Sequence, residues 1–434
     1  MADIRAFRGF RYDLGQVGAL SDVICPPYDV IDSALQQHLY DSSPYNAVRV
    51  ELTQEQPGDD DLDNKYVRAG RAIKEWIGAN VLRQDTARSL YVLEQTFESE
   101  GETVTRRGFL ARVRLEPFGT GNIFPHEQTF SGPKADRLKL YQATAFNISP
   151  IFGLYPDDGN EVFDRLDALI RNAPPTVAKD HLGVTNRLWV ITDTHTISQL
   201  IGLLGPKPVF IADGHHRYET GLKYLEEERA AGDVADDEAP QNFCLMMLVS
   251  MGDPGLIIQP THRLLSGLPP VTRDELKEMF EGEQITIVGE FETAAACWEH
   301  VQLEESQGVL GFGTVTDGKW LAVKFDSARL MESLAPDQTS DWRSLAVSIL
   351  HVAVIGEMIK DEFGVTPTCR YVHLLREVAE AAADKSCQLA CLVPPCGMEH
   401  VEGIAGNREK MPQKSTYFYP KIPTGLVFHS LKKE

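Results

Sequence analysis

The chain has 434 residues, 43% of them hydrophobic, and a formal net charge of −21 at pH 7. This length accommodates two or three domains with a large core. Such an acidic composition argues against nucleic-acid binding, because phosphate backbones are held by clustered Lys and Arg.

Three further features bear on location. The N-terminal residues lack the apolar core of a signal peptide, and no run of about eighteen apolar residues occurs. The seven cysteines are an odd number spread over a long chain, which favours reduced thiols over a disulfide framework. We therefore expect a soluble, cytoplasmic protein that does not bind membranes.

The first predicted region, residues 1–150, is mixed α/β. An acidic loop at residues 56–61 precedes a segment of helical spacing from Val67 to Ile77. Two apolar runs, residues 90–93 and 109–113, flank Glu100-Gly101-Glu102 and predict a β-hairpin.

The second predicted region, residues 151–268, alternates strands and helices. The expected strands cover residues 151–155, 188–191, 208–212 and 243–249. The expected helices cover residues 162–170 and 197–203 and a segment after residue 213 in which Tyr218, Leu222 and Leu225 recur on one face. This alternation predicts an α/β core that carries its site at strand ends. The third region, residues 269–434, is predicted to be α+β, with a helix at 276–280 and a hairpin formed by 309–315 and 320–325.

The densest group of chemically active residues is Asp213-Gly214-His215-His216-Arg217, at a predicted strand-to-helix junction. Glycine lets an anion approach the backbone, the helix dipole favours negative charge, and Arg217 has a planar fork suited to two phosphate oxygens. Each residue alone is compatible with an ordinary Asp-Gly turn and a solvated helix start. Two histidines and an arginine within one turn favour a phosphate site.

Two other strings begin like known motifs and then depart from them. His126-Glu127 starts like a zincin motif, but position 130 is Phe130 instead of a second histidine. Lys414-Ser415-Thr416 ends like a Walker A loop, but its glycines are replaced by Met411-Pro412-Gln413. What remains is a histidine and a carboxylate for acid–base chemistry, and a lysine that can reach an anion.

The cluster Cys387, Cys391 and Cys396, with His400 nearby, matches no zinc-site spacing, and Leu389 and Leu392 indicate a buried strand. Core cysteines are the expectation, a zinc site is the alternative, and no metal ligand is assigned.

The junction resembles the phosphate-binding turn of the ParB and sulfiredoxin superfamily, which includes free-serine kinases with a matching Asp-Gly-His-His-Arg. The longer string from Ile211 to Thr220 resembles the hallmark of a bacterial and archaeal family known as domain of unknown function 1015. That resemblance extends over nearly the whole chain, through residues 25–31, Pro125 to Thr129 with Lys134, Asp136 and Arg137, Pro260 to Arg263, and Met411 to Lys421.

These resemblances imply an α/β fold, mixed α+β, with a ParB/sulfiredoxin-like nucleotide-binding core and additional α/β regions. They imply a kinase-like transferase that uses ATP or ADP and Mg²⁺ to phosphorylate a small hydroxylated metabolite, with free L-serine as the first acceptor to test. The alternative is a non-catalytic nucleotide sensor of the ParB-like class. A homo-oligomer is compatible with either.

The residues assigned to this activity form two sets. The catalytic candidates are Glu127 or Asp29 as the base, with His126. The nucleotide- and phosphate-binding candidates are Asp213, Gly214, His215, His216, Arg217, Lys134, Arg137, Thr261, His262, Arg263 and Lys414. We expect most of them to line one pocket.

Overall fold

The structure is a computed structural model that describes residues 2–129, 131–157 and 159–432. The described residues divide into two compact units. Unit 1 comprises residues 1–125, 129–257 and 420–434, and unit 2 comprises residues 126–128 and 258–419. The predicted division into three consecutive regions stays a prediction, since these units are defined by contacts in space.

The mixed α/β fold class predicted from the sequence is confirmed. The strands up to residue 250 are β1 (Ile4–Arg5), β2 (Phe10–Tyr12), β3 (Leu82–Gln84), β4 (Leu90–Ser99), β5 (Glu102–Arg114), β6 (Ile123–Phe124), β7 (Phe146–Asn147), β8 (Ile151–Tyr155), β9 (Thr176–Lys179), β10 (Thr185–Ile191), β11 (Val209–Asp213) and β12 (Phe243–Ser250). The α-helices of the same part are α1 (Leu14–Val17), α2 (Ser33–Ser42), α3 (Val48–Glu51), α4 (Lys65–Gly78), α5 (Ser131–Thr144), α6 (Glu161–Ile170), α7 (Thr194–Leu204) and α8 (His215–Ala231). Short 3₁₀ helices cover Leu20–Asp22, Tyr28–Val30 and Pro240–Asn242.

The remaining strands are β13 (Ile257–Gln259), β14 (His262–Ser266), β15 (Ile285–Phe291), β16 (Val309–Thr314), β17 (Trp320–Phe325), β18 (Thr368–Val372), β19 (Leu389–Leu392), β20 (Tyr417–Tyr419) and β21 (His429–Ser430). The remaining α-helices are α9 (Arg273–Met279), α10 (Ala294–Leu303), α11 (Ser327–Leu334), α12 (Ser340–Ser344), α13 (Ala346–Ile349), α14 (Ile359–Phe363), α15 (Leu375–Ala383) and α16 (Met398–Gly406). A π-helical segment, Leu350–Met358, joins α13 to α14.

Unit 1 is built on a mixed sheet with the described strand order β6-β11-β8-β12-β5-β4-β10-β9, and β1 pairs with β5. The pairs β6–β11 and β8–β12 are parallel, whereas β8–β11 and the pairs from β12 to β9 are antiparallel. The apolar faces of α6, α7 and α8 pack with the sheet residues in one core cluster. This burial explains why the helical spacing was readable in the sequence.

Unit 2 contains an antiparallel sheet with the described order β15-β17-β16-β19-β14-β18. Helices α10 and α15 contribute buried residues to its core. The hairpin predicted at residues 309–325 is confirmed as β16 and β17, and the strand predicted at the cysteine cluster is confirmed as β19.

None of the helices in the described part of the chain combines the length and the apolar character that crossing a membrane requires.

Candidate functional site

The predicted strand, tight turn and helix around residue 213 are confirmed. β11 ends at Asp213, Gly214 has φ +89°, and α8 begins at His215. A residue with a side chain rarely adopts that φ. A Cβ on Gly214 would also lie 3.0 Å from Cζ and Nε of Arg217. Glycine is therefore needed at this position both for the backbone conformation and for space.

Arg217 is buried, and its guanidinium forms an ion pair with Asp213 and donates to the backbone carbonyl of Pro150. Lys421 Nζ contacts the other carboxylate oxygen of Asp213 at 2.6 Å. The Arg217 guanidinium, which we expected to bind phosphate oxygens, thus binds the Asp213 carboxylate and the Pro150 carbonyl instead. These three side chains, beside the start of α8, together carry one net positive charge. Lys421 was not assigned to the site from the sequence, although it ends the C-terminal string of the family resemblance.

Asp29 belongs to the same charged environment. Burial by itself would lower the pKa of Arg217, but the negative charges of Asp213 and then Asp29 outweigh this and raise it, so the guanidinium stays charged. Asp29 is exposed and lies in the 3₁₀ helix Tyr28–Val30. The Tyr28 backbone N–H donates to Oε1 of Glu51 at 3.2 Å. The turn and the Cys25-to-Ile31 string are therefore electrostatically coupled within unit 1.

Arg137 supports the Tyr28 segment. Its guanidinium lies 4.2 Å from the centroid of the Tyr28 ring, donates to the Glu51 carbonyl at 2.7 Å, and pairs with Asp136. Burial alone would raise the pKa of Asp136, but the charge of Arg137 and hydrogen bonds from Arg137, Tyr66 and Lys65 outweigh it and lower the pKa to about 2. Arg137 is thus a buried group of the core beside the turn.

Lys134 is held by α8. Its Nζ contacts Oε2 of Glu219 at 2.6 Å, and the Thr129 hydroxyl donates to the same oxygen at 2.7 Å. Glu219 lies one helical turn after His215, which is buried, whereas His216 is half-buried. Unit 1 therefore brings together the turn, Lys134, Arg137 and Asp29, and adds Glu51, Glu219 and Lys421, which the sequence analysis missed.

Unit 2 contains the other predicted residues. Oε1 of Glu127 accepts the backbone N–H of Lys414 at 3.0 Å, and the carbonyl of His126 accepts the N–H of Met411 at 2.7 Å. Nε2 of His126 lies 2.9 Å from Oγ1 of Thr416. The His126-Glu127 string and the C-terminal string, far apart in sequence, thus pack side by side, with Lys414 at φ +57°.

Arg263 is only 1% exposed and donates to the backbone carbonyls of Thr261 and Lys414, the latter at 2.9 Å. His262 accepts the N–H of Val393 at 3.3 Å and packs edge-on against Trp298. Burial, followed by the charge of Arg263, lowers the pKa of His262 to about 3, so this imidazole is neutral at pH 7. These side chains lie in the interior of unit 2. The expectation that the residues of both units line one pocket stays a prediction.

The cysteine cluster lies in the core of unit 2. Cys387, Cys391 and Cys396 are buried, and burial raises the pKa of each thiol, which favours the neutral form. Within the described residues, no three His, Cys, Asp or Glu side chains form a group suited to a metal ion.

Replacing Arg217 tests the buried ion pair. Arg217→Ala should lower the free energy of unfolding by about 3–5 kcal/mol, because it removes one partner of a buried pair and leaves the Pro150 carbonyl without its donor. Arg171→Ala is the matched control, since Arg171 and Asp167 form an ion pair of the same i,i+4 spacing in which the arginine is exposed. Denaturant unfolding of both variants measures the difference; equal stability of Arg217→Ala and wild type would contradict the structural role.

Asp136 gives the protein a specific acid sensitivity. Its folded pKa of about 2 lies below the ordinary value of 3.8, so its stabilisation is present above about pH 4 and is lost as the pH falls towards 2. Asp136→Asn should be less stable than wild type at pH 6, and the difference should shrink at pH 2–3. Chemical unfolding across this range measures it; a constant difference would contradict the assignment.

Among curated proteins, none matches this sequence. A free serine kinase in complex with AMP is similar in structure over 68% of this chain and 83% of its own, with 12% identity and a TM-score of 0.35. A conserved hypothetical protein from Pyrococcus furiosus covers 70% of this chain and 90% of its own, with 12% identity and a TM-score of 0.35. C-terminally truncated SbnI from Staphylococcus aureus is similar in structure over 75% of this chain and 90% of its own, with 10% identity and a TM-score of 0.32.

The family resemblance has a firmer basis, because the family described as "Protein of unknown function (DUF1015)" matches residues 4–348, most of the chain. The chain belongs to this family.

Proposed function

We propose that the chain is a phosphotransferase that binds a nucleotide, ATP or ADP, at the turn from Asp213 to Arg217 and phosphorylates the hydroxyl of a small metabolite. The observation that carries this proposal is the left-handed Gly214 turn at the start of a 17-residue helix, beside a carboxylate that two cations overcompensate. An isolated Asp213 would repel phosphate. Asp213 paired with Arg217 and Lys421 forms a group with one net positive charge, and this group lies at the end of α8 where the helix dipole is also positive.

The proposed site residues are of two kinds: some contact the ligand, and others hold the contacting residues in position. Lys421 and the backbone around Gly214 are the proposed phosphate contacts, with His215, His216 and Lys134 beside them. Arg217 positions Asp213, and Arg137 positions the segment that carries Asp29. In unit 2, Arg263 and Glu127 position the Lys414 loop through its backbone. Thr261 and His262 support that arrangement from β14 and the residue before it.

Phosphoryl transfer depends mainly on positioning and charge neutralisation, so these cations and dipoles are the groups that such chemistry needs. The nucleotide supplies the phosphoryl group. Mg²⁺ would enter with it, because phosphate oxygens and water supply most Mg²⁺ ligands in such sites. The acceptor loses its hydroxyl proton to a carboxylate, Asp29 or Glu127.

Asp29 is the better base of the two. It is exposed, and its charge acts on Arg217 within unit 1. Glu127 is half-buried, and its Oε1 accepts the Lys414 N–H. A hydroxylated amino acid such as free L-serine is the first acceptor to test, on the basis of the Asp-Gly-His-His-Arg resemblance.

Lys421→Met tests nucleotide binding at the turn. It should weaken the affinity for ATP and ADP by about 1.5–3 kcal/mol, the range for hydrogen bonds to charged groups. Lys223→Met is the control, because Lys223 is exposed on α8, the helix that follows the turn, and forms an ion pair with Glu226. Calorimetry and thermal shift measure the effect; at a 100-fold excess over Kd, wild type should gain about 2.7 kcal/mol. Absence of nucleotide binding to wild type would refute the proposal.

Asp29→Asn and Glu127→Gln identify the base. Asp29→Asn should lower turnover by about 10²-fold or more, while nucleotide affinity stays close to wild type. Glu127→Gln keeps an oxygen that accepts the Lys414 N–H and should retain more activity. Product formation is measured with ATP and with ADP, Mg²⁺ and a panel of hydroxylated amino acids. The opposite ranking would assign the base to Glu127. Nucleotide binding without turnover of any acceptor would favour the sensor instead.

A further inference from the structure

A charged cavity lies in unit 1 and shares no lining residue with the Asp213–Arg217 turn. Its volume is about 280 Å³, at the lower end of ligand pockets, so it suits a small molecule better than a nucleotide. Its charged and ionisable lining consists of Arg8, Arg88, Arg112, Asp236, Glu238 and His429. Three guanidinium groups around one small cavity contrast with the net charge of −21 of the whole chain.

Two residues of the cavity lining, Arg112 and His429, are buried. Arg112 lies on β5, is 6% exposed, and has its guanidinium 4.3 Å from the centroid of the Phe243 ring. His429 lies on β21, is 3% exposed, and packs edge-on against Phe7. These two buried groups present preorganised polar atoms to a ligand.

The carboxylates of the lining are already engaged. Oδ1 of Asp236 accepts the backbone N–H of Glu238 at 2.9 Å. Glu238 lies 3.4 Å from Arg112, 3.7 Å from Arg5 and 3.9 Å from Arg114. Arg88, in contrast, is exposed and makes no hydrogen bond or ion pair with any other described residue. The cavity therefore has more positive than negative charge available for a ligand.

His429 adds a hydrogen-bond acceptor. The Pro240 carbonyl forms a hydrogen bond with the ring, whereas Nε2 is buried without a hydrogen-bond partner among the described residues. Burial, followed by the charge of Arg112, lowers the pKa of His429 to about 3, so the ring is neutral at pH 7. Because one ring nitrogen donates to Pro240, Nε2 keeps its lone pair and requires a donor.

We propose that this cavity binds a phosphate group, from inorganic phosphate or a small phosphomonoester, with the three arginines supplying positive charge and Nε2 of His429 accepting the phosphate O–H. A monohydrogen phosphate combines several acceptor oxygens with one donor. Inorganic phosphate keeps at least one O–H near neutral pH, and a phosphate monoester, with its second pKa near 6, keeps one in its singly ionised fraction at pH 6.5. Sulfate and carboxylates lack that donor under the same conditions.

Calorimetric titration of the full chain with inorganic phosphate, phosphoserine and sulfate at pH 6.5 tests the cavity. Arg88→Ala should weaken phosphate binding about tenfold, since it removes a charge-assisted contact from an exposed position that does not affect folding. Arg83→Ala, a nearby exposed arginine paired with Asp13, is the control and should bind phosphate like wild type. Tighter binding of phosphoserine than of phosphate would identify a phosphomonoester as the ligand, and the reverse order would identify free phosphate.

Two results would overturn the proposal: unchanged phosphate affinity in Arg88→Ala, or sulfate binding as tight as phosphate binding in wild type. The affinity for nucleotide distinguishes this cavity from the proposed nucleotide site at the Asp213–Arg217 turn. Arg88→Ala should leave it unchanged, whereas Lys421→Met should weaken it and leave the cavity's phosphate binding intact. Failure of one site is therefore distinguishable from failure of the other.

Discussion

The buried ion pair between Arg217 and Asp213 is the constraint on which the candidate site depends. A guanidinium at 4% exposure requires a counter-charge and hydrogen-bond acceptors, because an uncompensated buried charge is strongly destabilising. Asp213 ends β11 and Arg217 lies in the first turn of α8, so the pair spans the glycine turn. Its contact with the Pro150 carbonyl also ties the helix to the residue before β8. The geometry of the turn is thereby determined by interactions within the protein.

Buried arginines have the same structural role elsewhere in the chain. Arg106 is fully buried in unit 1 and donates to the side chain of Gln95 and to the carbonyl of Pro420. Burial lowers its pKa to about 9, although Asp253 and Asp213 oppose this effect. In unit 2, Arg263 donates to the carbonyls of Thr261 and Lys414. In each case an arginine satisfies carbonyl groups of irregular backbone, which would otherwise be costly to bury.

This use of arginine changes how charged strings in a sequence are interpreted. Arg217, Arg137 and Arg263 were assigned to phosphate because guanidinium groups bind phosphate well. The structure places all three in the interior with protein partners. Lys421 and Asp29 lie nearer the surface, which is why the proposed function gives them the contacts with ligand. Local residue density therefore drew attention to the turn, whereas the partners of each cation depended on which carboxylates and carbonyls lay next to it.

The helices and strands that show a clear local periodicity could be predicted from the amino-acid sequence alone. The strand, turn and helix predicted from Pro208 to Leu225, the β4–β5 hairpin and the β16–β17 hairpin are all confirmed, because alternation, helical spacing and turn residues are local signals. The family was also recognisable from its motifs. The position of Lys421 beside Asp213 and of Glu127 beside Lys414 was decided only by the tertiary structure. Such contacts join residues more than 200 positions apart, and no local pattern records which distant segment packs against a given strand end.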